Sequence, residues 1–255
     1  MGDAADAWLR LGDAVIIKGT GKPLKPSLSY SILQWTVVPL IRFFIRIKPY
    51  GVERIPKHGS GIFVANHLSH VDPVVVVSVV RKKLHYLAKD EHFTTPIVSF
   101  LVKATGQIKT ERESGAADAL ARASDILAEG RCLGLFPEGT RSRNKEPPFL
   151  AAGKTGVARL AASHPEVPVT PMALIGTREV MAPIIHKLPR LWKKIRVNIG
   201  YGRSWNQFLE QTNVSQKDID AIAGMKGDEK KAAIAAHYRA FTDLIMADIK
   251  ELGAP

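Results

Sequence analysis

The chain has 255 residues, of which 45% are hydrophobic and 24% are charged, and this balance excludes extended disorder. Its formal net charge of +12 predicts attraction to polyanions, and nucleic acid, anionic lipid and phosphorylated small molecules all satisfy that charge. The single cysteine, Cys132, excludes an internal disulfide, so stability has to come from packing.

An N-terminal segment is predicted over residues 1–50, ahead of the main domain. Within it, residues of about 27–47 predict an amphipathic helix with Trp35 on an apolar side and Arg42 on a basic side. Aromatic and basic side chains together suit the headgroup region of an anionic membrane. The same pattern also fits a helix that packs on the core of its own domain, so both interpretations remain open.

No secretory signal and no transmembrane helix are expected in this segment. The first 13 residues are acidic and lack the basic leader and apolar core of a signal peptide. Between Lys25 and Arg42 stand only 16 uncharged residues, whereas a spanning helix needs roughly 20.

From residue 51 onward, short apolar runs alternate with longer segments of helical character. This alternation predicts parallel strands joined by helical crossovers, and hence one α/β domain over 51–255 with a mostly parallel central sheet flanked by helices. The predicted strands are 61–65, 85–88, 133–136, 167–174 and 195–199. The predicted helices are 73–82, 91–104, 116–129, 154–163 and 228–252.

The most informative motif is NHLSHVDP, residues 66–73, directly after a predicted strand. His67 stands at the strand end and Asp72 at the start of the next helix, so a turn can bring the two side chains together. A carboxylate fixes the tautomer of a histidine and stabilises its imidazolium, which makes this pair a candidate general base. By itself, the spacing also fits structural or capping roles. Because no serine or cysteine stands in an elbow-type setting, direct attack by a substrate hydroxyl is the simpler hypothesis.

Three further polar segments follow along the chain. GQIKTER ends at Arg112, after a predicted short strand. FPEGTRS follows another strand, with Gly139 permitting close backbone approach to a ligand and Arg141 offering a planar fork that matches phosphate. VPVTP, residues 167–171, contains two prolines, which disfavour a central ladder position and predict an edge strand or a rigid turn.

Taken in order, HxxxxD, GQIKTER, FPEGTRS and VPVTP resemble the four blocks of the glycerolipid acyltransferases, particularly the 1-acylglycerol-3-phosphate acyltransferases. The resemblance covers residues of about 51–200. It implies His67 as the general base and Asp72 as its orienting partner. The residues that it implies for the acceptor site are Arg112, Glu138, Gly139, Thr140 and Arg141. It implies no metal and no cofactor, with acyl-CoA or acyl-carrier protein as the co-substrate.

The activity that this resemblance implies is transfer of a fatty acyl group to the sn-2 hydroxyl of 1-acyl-glycerol-3-phosphate, without a covalent acyl-enzyme. The product is phosphatidic acid, a precursor in phospholipid biosynthesis. The expected partners are a lysophospholipid acceptor, an acyl thioester donor and an anionic membrane surface, with the chain peripheral or monotopic on the cytoplasmic side of the cell membrane.

Two alternatives stay open at this point. Another lysolipid or glycerol-3-phosphate could serve as the acceptor in the same chemistry. A non-catalytic basic protein that binds anionic lipid or nucleic acid would also account for the net charge. The sequence carries neither an aromatic-basic nucleic-acid signature nor a DNA-binding pattern, so nucleic acid is not the expected partner.

Overall fold

A computed structural model describes residues 3–22, 28–89, 108–110, 115–144, 146–182, 190 and 192–255. The strands in this part of the chain are β1 Arg46–Tyr50, β2 Gly61–Ala65, β3 Leu84–Lys89, β4 Ile108–Thr110, β5 Cys132–Leu135, β6 Val169–Ile175 and β7 Lys194–Ile199. They form one sheet in the order β1-β7-β6-β2-β5-β3-β4. Every neighbouring pair is parallel except β6 with β7. The predicted α/β class with a mostly parallel sheet is confirmed.

The helices that the structure describes cover both faces of this sheet. They are α1 Asp3–Leu9, α2 Leu28–Phe44, α3 Asp72–Val80, α4 Gly115–Ala128, α5 Gly156–Ser163, α6 Thr177–Met181, α7 Trp205–Gln211, α8 Gln216–Gly224 and α9 Gly227–Glu251. The helix predicted over 91–104 lies outside the described residues.

Two hydrophobic cores lie on opposite faces of the sheet, and β2 contributes to both. Ile62 and Val64 face a core that α1, α4, α5, α7, α8 and α9 complete. Phe63, on the opposite side of the same strand, packs with α3 in the second core. The first core buries Trp8 against Trp205, with ring centroids 4.9 Å apart. Burial on both faces fixes the position of β2, and with it the position of the polar loop that follows.

Helix α3 confirms the helix predicted over 73–82, although its valines are β-branched residues that favour strands. Pro73 stands in its first turn, where a missing N–H costs nothing. The helix ends at Val80 because Arg81 takes a left-handed conformation, and the Arg81 N–H donates to the Val77 carbonyl.

The prediction of an edge strand or rigid turn for 167–171 is wrong, because β6 lies inside the sheet between β7 and β2. Its two prolines are tolerated for separate reasons. Pro168 precedes the strand. The Pro171 carbonyl accepts from the Gly200 N–H at 2.9 Å, so this residue faces β7. Its ring nitrogen faces β7 too, just before the β6–β7 pairing that starts at Met172, where a missing N–H is tolerated.

Parts of the predicted N-terminal segment 1–50 belong to the same folded body as the sheet. The predicted helix 27–47 corresponds to α2, which ends at Phe44 because Arg46 begins β1. Strand β1 pairs in parallel with β7, and α1 places Trp8 in the first core. In the described part of the chain, no helix combines the length and apolar character needed to cross a membrane.

Candidate active site

The candidate site lies at the carboxyl ends of β2 and β5, which are adjacent and parallel. NHLSHVDP follows β2, and FPEGTRS follows β5. The buried Asn66 side chain fixes the end of β2, because its Nδ2 donates to the Leu174 carbonyl at 3.0 Å and its Oδ1 accepts from the Leu174 N–H at 2.7 Å. The residue after Asn66, His67, is therefore held at this edge of the sheet, where open α/β sheets bind ligands.

His67 and Asp72 form the predicted pair. The His67 Nδ1–H donates to Asp72 Oδ2 at 2.9 Å, with the carboxylate fully buried and the imidazole 15% exposed. The same oxygen accepts the backbone N–H groups of Leu68 and Ser69, each at 2.6 Å. Three donors thus hold the carboxylate, which sits at the start of α3 where negative charge is favoured. With Nδ1 occupied, Nε2 is the ring nitrogen left for a substrate.

An aromatic stack, which the sequence did not predict, supports the imidazole. The Phe136 ring lies 4.1 Å from the His67 ring between centroids, at 14° between planes. Tyr86 stacks on Phe136 in turn, at 5.6 Å and 14°. A Cβ at Gly134 would lie only 2.3 Å from Tyr86, so glycine in β5 makes room for this ring. The stack fixes the plane of the imidazole, while Asp72 fixes its rotation within that plane.

Glu138 turns both carboxylate oxygens toward backbone amides. Its Oε1 accepts from the His67 N–H at 2.7 Å, and its Oε2 accepts from the Ala151 N–H at 3.1 Å. Burial raises the pKa of Glu138 to about 7, although the two backbone hydrogen bonds act in the opposite direction. The contacts make Glu138 a residue that positions the His67 backbone, and its predicted part in acceptor binding stays a prediction.

The Glu138→Gln variant is expected to lose about 1–3 kcal/mol of unfolding free energy at pH 8, because the new amide group presents a donor to a backbone N–H. The folded-state pKa of Glu138, about 7, lies above its ordinary value of 4.5. The stability linked to this group is therefore fully present below about pH 4.5 and is lost as pH rises through about 7. Urea unfolding of both proteins at pH 5 and pH 8 measures this, and a larger pH dependence in the variant than in the wild type would contradict it.

The outer part of the FPEGTRS loop is cationic. Gly139 has a φ of +72°, and a Cβ there would lie 2.8 Å from Lys154 Nζ, so glycine lets this ammonium group sit over the loop. Thr140 is exposed beside it. The Arg141 guanidinium donates to His70 Nδ1 at 2.7 Å, which ties this loop to NHLSHVDP. Of the predicted acceptor residues, Gly139, Thr140 and Arg141 are thus brought to the edge that carries His67.

Arg112 lies outside the described residues, although the short strand predicted before it is present as β4. Another arginine, Arg178 on α6, braces the site loop without any sequence signal that points to it. It donates to the Ser142 carbonyl at 3.4 Å and to the Asn144 carbonyl, and its guanidinium lies 4.5 Å from the centre of the Phe149 ring. Its hydrogen-bonding partners are backbone carbonyls distant in sequence, which residue types do not encode.

A histidine oriented by a buried carboxylate, beside a cationic loop at the strand ends, can take a proton from the hydroxyl of an anionic substrate. Fold and site together are typical of an α/β enzyme that uses a general base. The family model described as Acyltransferase matches residues 46–175, from the first residue of β1 to the last of β6, and the chain belongs to this family.

Two relatives are named as 1-acyl-sn-glycerol-3-phosphate acyltransferases. The chloroplastic 1-acyl-sn-glycerol-3-phosphate acyltransferase of Arabidopsis thaliana is 29% identical over 156 residues, which cover 58% of this chain and 40% of that protein. The 1-acyl-sn-glycerol-3-phosphate acyltransferase of Borreliella burgdorferi is 33% identical over 116 residues, which cover 45% of this chain and 46% of that protein. The aligned region spans less than half the length of these relatives.

Among solved structures, the 1-acyl-sn-glycerophosphate acyltransferase of Thermotoga maritima shares the fold, with a TM-score of 0.57. It is 20% identical, and the match covers 88% of this chain and 83% of that one.

Proposed function

We propose that this chain transfers a fatty acyl group from acyl-CoA or acyl-carrier protein to the sn-2 hydroxyl of 1-acyl-glycerol-3-phosphate, forming phosphatidic acid. The observation that carries the proposal is the 2.9 Å hydrogen bond from His67 to the buried Asp72, in a chain of the Acyltransferase family. The names of the Arabidopsis and Borreliella relatives support this acceptor.

The geometry supports direct transfer. With Nδ1–H bound to Asp72, the lone pair of His67 Nε2 accepts the proton of the acceptor hydroxyl as its oxygen attacks the thioester carbonyl. The tetrahedral intermediate collapses with cleavage of the C–S bond, and the imidazolium returns the proton to the departing thiolate. The Asp72 carboxylate stabilises the imidazolium while it exists. No bond to the protein forms in this sequence.

The phosphate of the acceptor would lie on the cationic loop. Arg141 provides a planar fork for phosphate oxygens, and Lys154 provides a point charge close to Gly139. Arg112 remains a proposed further phosphate ligand.

The Arg141→Ala variant is expected to raise KM for the acceptor about 10- to 100-fold, the range for a lost hydrogen bond to a charged group. KM for the thioester should change little. Arg141→Lys should recover part of the loss, because lysine keeps the charge without the fork. Arg143→Ala, an exposed arginine two residues further on, is the matched control. An equal loss with a neutral monoacylglycerol acceptor would show that Arg141 does not act through phosphate.

Mass spectrometry of products identifies the donor, the acceptor and the chain length together. Purified protein receives a mixture of acyl thioesters with lysophosphatidic acid, glycerol-3-phosphate and other lysolipids. Phosphatidic acid as the main product is the expected result. Another acylated lipid would keep the chemistry and change the acceptor. Nucleic-acid binding that weakens with salt, without consumption of any thioester, would sink the proposed function.

The outer side of α2 supports attachment to a membrane surface, which we place on the cytoplasmic side of the cell membrane. Ile32, Trp35 and Phe43 recur on one side of this helix and are 62%, 81% and 81% exposed. Large apolar side chains projecting into solvent in this way fit the boundary between headgroups and acyl chains. A peripheral position there would give the enzyme access to lysophospholipid.

A further inference from the structure

The edge strand β1 and its neighbour β7 carry a continuous basic face. Their parallel register pairs Arg46 with Lys194 and Lys48 with Arg196. All four side chains are exposed, whereas alternate residues such as Ile195 point into the second core. We refer to Arg46, Lys48, Lys194 and Arg196 as the basic face.

Like charges opposite one another on neighbouring strands destabilise a sheet. Both pairs of the basic face have this arrangement. Within the described residues, none of the four cations forms an ion pair with a carboxylate. Strand spacing and rise place the four Cα atoms within about 5–8 Å of their neighbours. This concentration of uncompensated charge is complementary to an anionic surface.

The basic face lies at the same end of the sheet as the candidate site. Asn66 is hydrogen bonded to Leu174, and Leu174 is paired with Val197. Because β7 runs antiparallel to β6, Lys194 lies three residues beyond Val197 toward the end of the sheet that carries His67. Strand β7 is two strands away from β2, or about 10 Å. The His67 ring stacks on Phe136 at the second core, whereas the basic side chains project from the opposite face, so the two share an end of the sheet but not a face.

Exposed aromatic rings stand at the same end. Trp192, two residues before β7, is 68% exposed, and Phe44, just before β1, is 54% exposed. Tryptophan beside lysine and arginine is the combination found at the boundary between membrane and water. An acidic protein would match the charge, and protein interfaces also use aromatic rings, but Phe44 contacts Phe43 of the exposed apolar side of α2 at 5.3 Å between ring centroids. The combined surface fits a bilayer better.

We propose that the basic face binds the headgroups of an anionic lipid bilayer, with Trp192 at the interface, at the end of the sheet that carries the His67 site. This surface adjoins the apolar side of α2 at the contact between Phe43 and Phe44. The role in acceptor delivery rests on the proposed function, whereas the binding itself does not.

The test reverses two charges with Lys48→Glu and Lys194→Glu. Each new glutamate stands opposite an arginine of the neighbouring strand, so the variant replaces like-charge pairs with opposite-charge pairs and should remain folded. Binding is measured by sedimentation with phosphatidylcholine vesicles that contain about 40% phosphatidylglycerol, which gives the surface a strong negative charge. Loss of each lysine near such a surface lowers partitioning about five-fold, so the double variant should lose at least about 25-fold.

The matched control is Lys217→Glu with Lys226→Glu. Both lysines are exposed, and each variant lowers the net charge from +12 by two units per reversal, to +8. Lys226 precedes the first residue of α9, whose far end contacts β7 where Asn198 donates to the Leu252 carbonyl. Because α9 has 25 residues, Lys226 lies about 37 Å from the end of α9 that contacts β7. The control should bind within about three-fold of the wild type. An equal loss in both variants would overturn the proposal, since net charge alone would then explain binding.

Fluorescence locates the interface. Trp8 and Trp205 are buried, so in Trp35→Phe the remaining exposed indole is that of Trp192. Brominated anionic lipid should quench the emission of this variant, and Trp35→Phe with Trp192→Phe should lose the quenching. Emission that brominated lipid leaves unchanged in the single variant would overturn the placement of Trp192.

Activity separates failure of this proposal from failure of the proposed function. With a short-chain acceptor dissolved as monomers and acyl-CoA as donor, the Lys48 and Lys194 reversal should turn over at the wild-type rate, and with vesicle-bound acceptor it should be slower. A wild type that acylates neither acceptor would sink the proposed function and leave the binding result standing. A variant that keeps vesicle binding but loses turnover only with acyl-carrier protein would overturn the membrane assignment in favour of carrier docking.

Discussion

The His67→Ala variant is expected to lose acyl transfer about 1,000-fold in kcat, within the range that a positioned general base contributes. The physical reason is that Nε2 is the proton acceptor left free once Asp72 holds Nδ1. Thiol release from acyl-CoA in the presence of 1-acyl-glycerol-3-phosphate measures the rate. Circular dichroism and urea unfolding should show a folded protein, because the imidazole lies at the surface edge of its stack on Phe136.

His70→Ala is the control for this variant, because His70 lies in the same loop and is exposed. Its imidazole accepts from Arg141, so its loss should act through acceptor binding and lower kcat less than about ten-fold. Wild-type-like turnover in folded His67→Ala, together with a large loss in His70→Ala, would move the base to residue 70.

The fold could be predicted wherever the local pattern and the tertiary environment agree. The alternation of apolar runs with helical segments predicts the α/β class, and β2 is present at the predicted residues 61–65. Strand β1 is absent from the predicted strands, because its first two residues, Arg46 and Ile47, were included in the predicted helix 27–47. The alternation of basic and partly buried residues in β1 has period two, but pairing with β7, about 150 residues away, decides the outcome. The edge prediction for 167–171 is wrong for a similar reason. Only the register between β6 and β7 shows that the missing N–H of Pro171 lies outside their pairing.

The contact between His67 and Asp72 could be predicted because the two residues are five positions apart, across a strand end, a turn and a helix start. The contacts of Glu138 and Phe136 around this pair could not be predicted from the sequence. Whether Glu138 faces a groove or the backbone depends on the N–H groups of His67 and Ala151, which lie 71 and 13 residues away. Phe136 is an ordinary apolar residue by pattern, and its stacking on His67 follows from the adjacency of β2 and β5.

Asp72→Asn is expected to lower kcat about 100- to 1,000-fold, because a neutral amide does not stabilise the imidazolium that forms during the reaction. The asparagine carbonyl can still accept from the N–H groups of Leu68 and Ser69, so the loop keeps its shape. The other carboxylate oxygen, Oδ1, is buried without a hydrogen-bonding partner among the described residues. Placing the new NH2 group there should cost about 1–3 kcal/mol of unfolding free energy.

Asp72→Ala separates support of the loop from support of the base. Without a carboxylate or an amide, the buried N–H groups of Leu68 and Ser69 lose their acceptor, and the unfolding free energy should fall by about 2–5 kcal/mol. Urea unfolding of the alanine and asparagine variants side by side measures the difference. Equal stability of the two would show that the carboxylate does not hold this loop.

The double variant His67→Ala with Asp72→Asn tests whether Asp72 acts through the histidine. If the carboxylate contributes to the reaction only by orienting the imidazole and stabilising its charge, then its loss should cost no further rate once the imidazole is gone. The double variant should therefore match His67→Ala in kcat within about three-fold. A rate lower by the product of the two single losses would show that Asp72 contributes to transfer independently of His67. That result would leave the 2.9 Å hydrogen bond as a structural contact rather than part of the catalytic machinery.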